Sequence, residues 1–326
     1  MRRIAIVCGG YSGEYDISVQ TAKMVQQNLD NSRYDTYLIF IEAAGWYYLD
    51  EQENRIEIDR SDFSLPLRTG KVTFEGIFNA IHGTPGEDGL ILGYFDLLGI
   101  PYTSCSMEVS ALTFNKYLFN VFAQATGVRV ARSFNFTAKQ SIDRQEVIDT
   151  LGLPVFVKPT KSGSSVGVSR VESVDAFDAA VAKAFAIDDR ILIEEFLDGR
   201  EFACGLYKDG DELIVMPLAE IVSKNAFFDY EAKYTPGFAD EICPAQNVPA
   251  DQEALIKETS RKLYEDVGCQ GLVRIDYMLT EKGLFLIELN SIPGLSPASI
   301  VIKQAAAMDL TNAQLFNSLL DNLFIA

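Results

Sequence analysis

The segment IAIVCGGYSGEYDIS (residues 4–18) joins a short apolar run to a glycine turn and then to a helix-like stretch. A strand that runs through a glycine turn into a helix is typical of an α/β fold and often places a phosphate at the helix N-terminus. Glu14 and Asp16, however, put carboxylates where they would repel a phosphate. The segment therefore predicts an α/β domain and leaves open what the turn binds.

Strand and helix signals continue to alternate through the first hundred residues. Apolar runs at 36–41 and 76–81 are predicted strands, and residues 18–29 and 89–98 are predicted helices. Residues 45–50 are expected to form a short excursion from this alternating pattern. This alternation indicates a parallel, doubly wound sheet. We expect this N-terminal α/β domain to cover residues 1–104.

The remaining chain is richer in strand signals. A predicted helix at 111–127 precedes several β-rich patches, and a second predicted helix covers 250–268. Two apolar runs separated by TEKG then favour a hairpin, and the C-terminal stretch is helical in composition. These signals predict an α+β architecture with a further boundary near residue 190, which gives domains of 105–190 and 191–326.

Composition limits the class of protein. With 326 residues and a net charge of −18, the chain lacks the clustered Lys and Arg of a nucleic-acid-binding surface. Its five widely spaced cysteines are read as thiols of a reducing compartment. Because no apolar run approaches the ~20 residues of a membrane span, we expect a soluble, cytoplasmic protein with no membrane partner.

The loop VKPTKSGSSVGVSRV (residues 157–171) lies between two predicted strands. It offers backbone N–H groups, hydroxyls and cationic side chains, which suit a phosphate. The lysine precedes the glycines, so the loop is not a P-loop. A flexible hairpin loop without a ligand remains the alternative.

The predicted hairpin RIDYMLTEKGLFLIELN (residues 274–290) carries Arg274 and Asp276 on one strand and Glu288 and Asn290 on the other. Each pair is two residues apart, so its side chains share a face. Three oxygen ligands beside an arginine suit Mg²⁺ shared with phosphates. The alternative is an ordinary solvated face.

The histidine His82 lies in HGTPGEDG (residues 82–89), at the C-terminal end of a predicted strand, where open α/β sheets bind ligands. A structural hydrogen-bonding role competes with a catalytic one. With a single histidine in the chain, a His-based zinc site is not expected. No Gly-x-Ser-x-Gly elbow supports a Ser-His-Asp hydrolase.

These segments, together with IPYTSCS, EEFLDGREF, FFDYEAKY, CPA and SIPGLSPAS, resemble in order the D-alanine–D-alanine ligase family of the ATP-grasp superfamily. The resemblance covers nearly the whole chain. It implies an N-terminal α/β domain followed by a two-subdomain ATP-grasp fold. It also implies that ATP phosphorylates one D-alanine, that a second D-alanine attacks the acylphosphate, and that the dipeptide serves peptidoglycan synthesis.

The resemblance also implies a role for individual residues. ATP-binding residues are expected to be Lys116, Lys158, Glu194, Glu195, Phe196, Leu197, Glu201 and Lys233. Two Mg²⁺ ions, or Mn²⁺ in their place, are expected on Asp276, Glu288 and Asn290. Substrate contacts are expected from Glu14, His82, Ser299 and Ile300, and catalytic roles from Glu14, Ser164, Tyr234, Arg274, Gly294 and Ser299.

Some positions depart from the family pattern. Asp16 stands where glutamate is common, Leu295 where methionine follows Pro-Gly, and Ile302 where a proline is frequent. From the residues alone, Asp16 is read as a helix N-cap. Tyr234 after Lys233 is typical of relatives that form a dipeptide rather than a depsipeptide.

Two alternatives remain at this point. The chain could be another ATP-grasp carboxylate–amine ligase, or a non-catalytic binding protein that kept the fold. A homodimer is implied by the family only. On the family interpretation, Glu14 meets a substrate ammonium, so the opening turn is an amino-acid site rather than a phosphate loop.

Overall fold

The computed structural model describes residues 1–223 and 239–325. A five-stranded sheet, with the order β4-β3-β2-β1-β7, forms the centre of the N-terminal region. Its strands, together with the separate β5–β6 pair, are β1 (Arg2–Gly9), β2 (Tyr34–Glu42), β3 (Gly45–Leu49), β4 (Arg55–Glu57), β5 (Leu65–Leu67), β6 (Gly70–Val72) and β7 (Gly76–Asn79). Helices α1 (Tyr15–Asn28) and α2 (Leu90–Leu98) follow β1 and β7.

The predicted parallel arrangement is confirmed for the centre of this sheet. Strand β1 pairs in parallel with β2 on one side and with β7 on the other. Residues 45–50, expected to be a short excursion, instead form β3, which pairs antiparallel with β2 and with β4. The sheet is therefore mixed, and the glycine turn lies at the carboxyl end of the buried strand β1, between β2 and β7.

The predicted helix at residues 111–127 is wrong as a single element. The structure has two helices there, α3 (Met107–Phe114) and α4 (Lys116–Ala125), which meet at Asn115. Asn115 leaves the helical conformation, and its side-chain oxygen accepts a hydrogen bond from the Leu118 N–H at 3.2 Å. Asparagine is a favoured N-cap because it satisfies an otherwise unpaired donor of the first turn. Lys116 is thereby placed at the start of α4.

A four-stranded antiparallel sheet follows, with the order β10-β9-β11-β8. It consists of β8 (Ser133–Thr137), β9 (Val155–Pro159), β10 (Ser169–Val171) and β11 (Arg190–Glu195), with helices α5 (Arg144–Leu151) and α6 (Phe177–Phe185). The serine- and glycine-rich loop connects β9 to β10. Strand β11 begins at the predicted boundary and belongs to this sheet, so the sheet extends past residue 190.

The third sheet has six strands, in the order β15-β14-β12-β16-β17 with β13 beside β12. They are β12 (Gly199–Asp209), β13 (Glu212–Val215), β14 (Ala219–Ser223), β15 (Ala239–Ile242), β16 (Val273–Thr280) and β17 (Gly283–Asn290). Helices α7 (Ala250–Val267), α8 (Ile300–Ala306) and α9 (Asn312–Asp321), with two short 3₁₀ helices (Val174–Ala176 and Asn322–Phe324), complete the described elements. The predicted β16–β17 hairpin is confirmed.

One apolar cluster joins the two ends of the chain. Buried side chains of β1, α1, α8 and α9 pack together, among them Ile6, Val25, Val301 and Phe316. Burial of this apolar surface holds the loop at 291–299 beside the N-terminal glycine turn. Within the described ranges, no helix is long and apolar enough to cross a membrane.

Candidate active site

The glycine turn after β1 has little space for side chains. Gly10 has φ +104°, and a Cβ there would lie 2.9 Å from both Ile81 Cγ2 and the Thr84 carbonyl oxygen. The Tyr11 N–H donates to that same carbonyl at 2.8 Å. Glycine permits this conformation and this approach. The turn therefore lies directly against the segment that contains the histidine.

Glu14, not Asp16, occupies the N-cap position of α1. The Glu14 side chain makes no capping hydrogen bond, and Asp16 lies exposed in the first helical turn. The expectation that Asp16 is the N-cap is therefore wrong, because the helix begins earlier than the apolar periodicity indicated. The Glu14 carboxylate remains available for other contacts.

The loop between β9 and β10 reaches this carboxylate. The Ser164 hydroxyl donates to Glu14 Oε1, and a Cβ on Gly163 would collide with the same carboxylate. Ser164 has φ +49°, an uncommon conformation for a residue with a side chain. The predicted contact between these two segments is thus present in the structure. Tyr234, expected to join it, and Lys233, expected beside the ATP phosphates, lie outside the described residues.

His82 is buried between helix α1 and the loop after β17. Its Nδ1 is 3.0 Å from the Ile292 carbonyl oxygen, and its Nε2 is 3.2 Å from Thr21 Oγ1. Burial lowers the pKa of His82, and the nearby Glu14 carboxylate opposes that change. A neutral imidazole donates one N–H, which the Ile292 carbonyl can accept. His82 therefore connects the two segments.

Glu87, four residues after Gly83, was not among the predicted site residues although it lies in the same motif. It is 8% exposed, and its Oε2 accepts a hydrogen bond from the Gly83 N–H at 2.7 Å. Burial, followed by the nearby Glu14 charge, raises the pKa of Glu87 to about 8. The Glu87 carboxyl group is thus largely neutral at pH 7 and is buried against the loop that follows His82.

The β16–β17 hairpin aligns its polar side chains across two neighbouring strands. Arg274 is opposite Asn290, and Asp276 is opposite Glu288. The Arg274 Nε donates to Asp276 Oδ1 at 2.8 Å, while its Nη2 lies 4.0 Å from Glu288 Oε1. Burial lowers the pKa of Arg274, but the Asp276 and Glu288 carboxylates outweigh burial and raise it. The guanidinium is a fixed positive charge.

The donor set on this hairpin is suited to a hard cation. Asp276 is 3% exposed, and the Glu288 side chain is 28% exposed, so one carboxylate is deep and the other accessible. Asn290 adds an amide oxygen, which accepts the Ile292 N–H at 3.0 Å. All of these donors are oxygens, the ligands that Mg²⁺ prefers. In the part of the chain that the structure describes, no group of three or more His, Cys, Asp or Glu side chains could hold a metal. A bound ion would therefore also need the amide and external oxygens.

Lysines from two elements face this hairpin and the adjacent strand. The Lys116 Nζ donates to the Ser162 carbonyl at 2.7 Å and lies 3.7 Å from Glu288 Oε2. Lys158 forms an ion pair with Glu194, and both side chains are nearly buried. Asn120 donates to the other oxygen of Glu194 at 3.0 Å. Each lysine thus lies beside a carboxylate, Glu288 on β17 or Glu194 on β11.

The strand β11 and the residues that follow it lie next to these lysines. Glu195 is held by Arg132 through hydrogen bonds of 2.6–2.9 Å, on the opposite side of the strand from Glu194. The Phe196 ring lies 6.1 Å from that of Phe156. Leu197 and Glu201 follow and are half-buried.

The loop after β17 is compact where it meets α8. A Cβ on Gly294 would lie 2.9 Å from Ser299 Oγ, which is 3.0 Å from Ser296 Oγ. Ser299 is the N-cap residue of α8, and Ile300 is its first, buried residue. Gly294 thus permits a close approach of the loop to Ser299.

Two family models together match most of the chain. The model described as D-ala D-ala ligase N-terminus matches residues 3–105, and the model described as D-ala D-ala ligase C-terminus matches residues 122–321. The chain belongs to the D-alanine–D-alanine ligase family. It is thus an ATP-dependent ligase by family, as the sequence motifs predicted.

Individual ligases resemble the chain over its full length. The D-alanine–D-alanine ligase of Phocaeicola vulgatus is 40% identical over 99% of this chain and 99% of its own. Among solved structures, D-alanyl-alanine synthetase A from Vibrio cholerae has a TM-score of 0.89 at 26% identity, and the VanG D-Ala:D-Ser ligase from Enterococcus faecalis 0.88 at 29%. Each of these two structural alignments covers 99% of this chain and 99% of the other chain. The predicted α/β and ATP-grasp architecture is confirmed by these ligase structures.

The positions that depart from the family pattern lie mostly in the core. Leu295 is 4% exposed and Ile302 is 8% exposed, and both pack into the cluster that joins α1 to α8 and α9. Both departures exchange one apolar side chain for another in a buried setting. Leu295 and Ile302 therefore pack on the apolar side of the loop at 291–299 and do not line its polar side.

Sequence reasoning also missed a bridging residue of α1. Thr21 is buried, and its hydroxyl lies 3.2 Å from His82 Nε2 and 3.5 Å from the Leu295 N–H. A threonine on the inner face of a helix reads as ordinary core, so the sequence carries no signal for this contact. The histidine motif did contain a signal for Glu87, because it places an acid between Gly86 and Gly89 in a loop at the end of a predicted strand, where open α/β sheets bind ligands.

Proposed function

We propose that the protein joins two D-alanine molecules into D-alanyl-D-alanine, with conversion of ATP to ADP and phosphate, for the synthesis of peptidoglycan precursors. One connected set of contacts carries the proposal. Glu14 accepts from Ser164, the Ser162 carbonyl in the same loop accepts from Lys116, and Lys116 lies 3.7 Å from Glu288. The Glu14 carboxylate, which is suited to an ammonium group, is thereby linked to Lys116 and Glu288, which are suited to a phosphate and its metal ion.

In the first step, a carboxylate oxygen of the first D-alanine attacks the γ-phosphorus of ATP. The bond from that phosphorus to the β–γ bridging oxygen breaks, which gives an acylphosphate and ADP. Glu14 binds the ammonium group of this D-alanine, and His82 lies near its carboxylate. Lys116 and Lys158 offset the phosphate charge, so that two anions can approach each other.

In the second step, the amine of the second D-alanine attacks the acyl carbon. The tetrahedral intermediate collapses as the carbon–oxygen bond to phosphate breaks, and the proton lost by the attacking nitrogen passes to the departing phosphate. Arg274 and the Gly294 backbone stabilise the oxyanion, while Ser299 and Ile300 hold the second carboxylate. Ser164 and Tyr234 orient Glu14, which keeps the two substrates aligned.

Asp276, Glu288 and Asn290 are proposed to hold two Mg²⁺ ions, with Mn²⁺ as a substitute. Ions bound there would neutralise charge on the ATP phosphates. The fit rests on the all-oxygen donor set and on the accessible Glu288 carboxylate beside Lys116.

The nucleotide base is proposed to bind at the end of β11. Glu194, Glu195, Phe196 and Leu197 would frame the adenine, Glu201 would meet the ribose, and Lys233 the phosphates. Because Arg132 occupies the Glu195 side chain, contact from Glu195 would come from its backbone.

We further propose a cytoplasmic homodimer with an N-terminal domain at residues 1–104. A central subdomain would begin at 105, and the C-terminal subdomain would extend to 326. Since β11 pairs with β8 and β9, we set the boundary between these subdomains after β11 rather than at residue 190.

The rate of phosphate release from ATP, measured in the presence of Mg²⁺, tests the proposed activity. D-alanine should stimulate release strongly, whereas L-alanine should not. D-serine and D-lactate, each added with D-alanine, measure tolerance at the second position. Failure of D-alanine to stimulate phosphate release would contradict the proposal, and preferential formation of a mixed product with D-serine would correct the second substrate.

A further inference from the structure

We propose that the ion pair between Lys303 and Glu241 positions Ser299 and Ile300 for the second D-alanine. Lys303 Nζ lies 2.7 Å from Glu241 Oε2. Lys303 is on α8, one turn after Ser299, and Glu241 is on β15. The inference rests on the proposed function, and it makes both residues positioning residues rather than catalytic ones.

The backbone connects Lys303 to the substrate-binding end of α8. The Lys303 N–H donates to the Ser299 carbonyl at 3.2 Å, and the Ile302 N–H donates to it at 3.1 Å. A shift of Lys303 therefore moves the Ser299 backbone directly. α8 has 7 residues, so it has few internal hydrogen bonds to resist such a shift.

Apolar packing holds this end of the helix on two sides. Val301 and Ile302 pack into the cluster that joins the two ends of the chain, while Ile300 lies on small apolar side chains of β12 and β14.

Two neighbouring side chains of α8 add directional contacts. The buried Gln304 amide donates to the Ala203 and Pro217 carbonyls at 3.0 and 2.8 Å. Lys303 adds its ion pair with Glu241, which connects the helix turn that begins at Ser299 to β15.

The small contribution of the Lys303–Glu241 pair to folding stability makes its role in substrate binding testable. The side chains of Lys303 and Glu241 are 39% and 23% exposed, and ion pairs this accessible contribute little to folding stability. Variants should therefore fold. A displacement of about 1 Å at a substrate contact, in contrast, has a large effect on binding and rate.

The experiment measures separate KM values for the two D-alanines and for ATP in K303M and E241Q. We expect the KM of the second D-alanine to rise about 5- to 10-fold, with those of the first D-alanine and ATP unchanged. K303R should restore the wild-type value. K257M is the matched control, since Lys257 pairs with Glu253 at 2.6 Å on α7 with similar exposure.

Hydrogen–deuterium exchange of the peptide covering residues 299–306 provides a readout independent of activity. Exchange should increase in K303M and E241Q but not in K257M. An unchanged second KM in an active enzyme, or unchanged exchange, would overturn the inference and leave the proposed function intact. A wild-type protein that does not respond to D-alanine would overturn both.

Discussion

Replacement of Glu14 by glutamine removes the charge that we assign to the ammonium of the first D-alanine, with little change in shape. The Ser164 hydroxyl, which donates to Glu14 Oε1, can still donate to the amide oxygen. The half-buried side chain makes no capping bond to α1, so the fold should be retained. A hydrogen bond to a charged group is worth about 1.5–3 kcal/mol. That loss corresponds to a rise of about 10- to 150-fold in the KM of the first D-alanine.

Initial rates of phosphate release over a wide range of D-alanine concentration measure this effect. The KM of ATP should stay within about twofold, because the assigned nucleotide contacts are on other elements. D16N is the matched control, since Asp16 is an exposed acid in the first turn of the same helix, and it should behave like wild type. A KM of the first D-alanine that E14Q leaves unchanged would refute the assignment of Glu14 to the ammonium.

Other substitutions test the remaining parts of the site. G294A should push Ser299 Oγ away from its present position, 2.9 Å from the new Cβ, and raise the KM of the second D-alanine about 10-fold; G93A, whose Cβ meets only ordinary contacts, should not. E288Q should lower kcat about 10²- to 10³-fold with an unchanged melting temperature, and near-normal turnover would contradict the metal role. Burial raises the pKa of Glu87 from 4.5 to about 8, so unfolding releases a proton between these values and wild-type stability falls as pH rises through them. E87Q should therefore gain stability relative to wild type between pH 5 and 8, and a pH-independent difference in thermal melts would argue against a neutral carboxyl.

The hairpin could be predicted closely because its physics is local. A period of two fixes which side chains share a face, and the turn between the strands fixes their pairing. Those rules account for the pairing from the turn as far as Tyr277 opposite Leu286. A β-bulge between Asp276 and Tyr277 then shifts the register by one residue and brings Asp276 opposite Glu288. The local rules did not predict that shift. The contact between Glu14 and Ser164, 150 residues apart, could not be derived in this way. Only the family resemblance predicted it.

Features that depend on three-dimensional packing were missed or wrong. Asn115 lies within a helical pattern that continues on both sides, so periodicity gave no break, although asparagine favours N-caps. The strand at residues 45–49 lacked alternation and gained its structure from pairing with β2. The raised pKa of Glu87 arises from burial and from Glu14, which neither local pattern nor spacing can reveal.

Oxygen transfer from substrate to phosphate tests the proposed reaction most directly. The protein is incubated with ATP, Mg²⁺ and D-alanine labelled with ¹⁸O in its carboxylate, and the products are analysed by mass spectrometry. Attack of the carboxylate on the γ-phosphorus predicts D-alanyl-D-alanine together with phosphate that carries one ¹⁸O atom for each dipeptide formed. Phosphate without label, or phosphate release without the dipeptide, would contradict ligation through an acylphosphate.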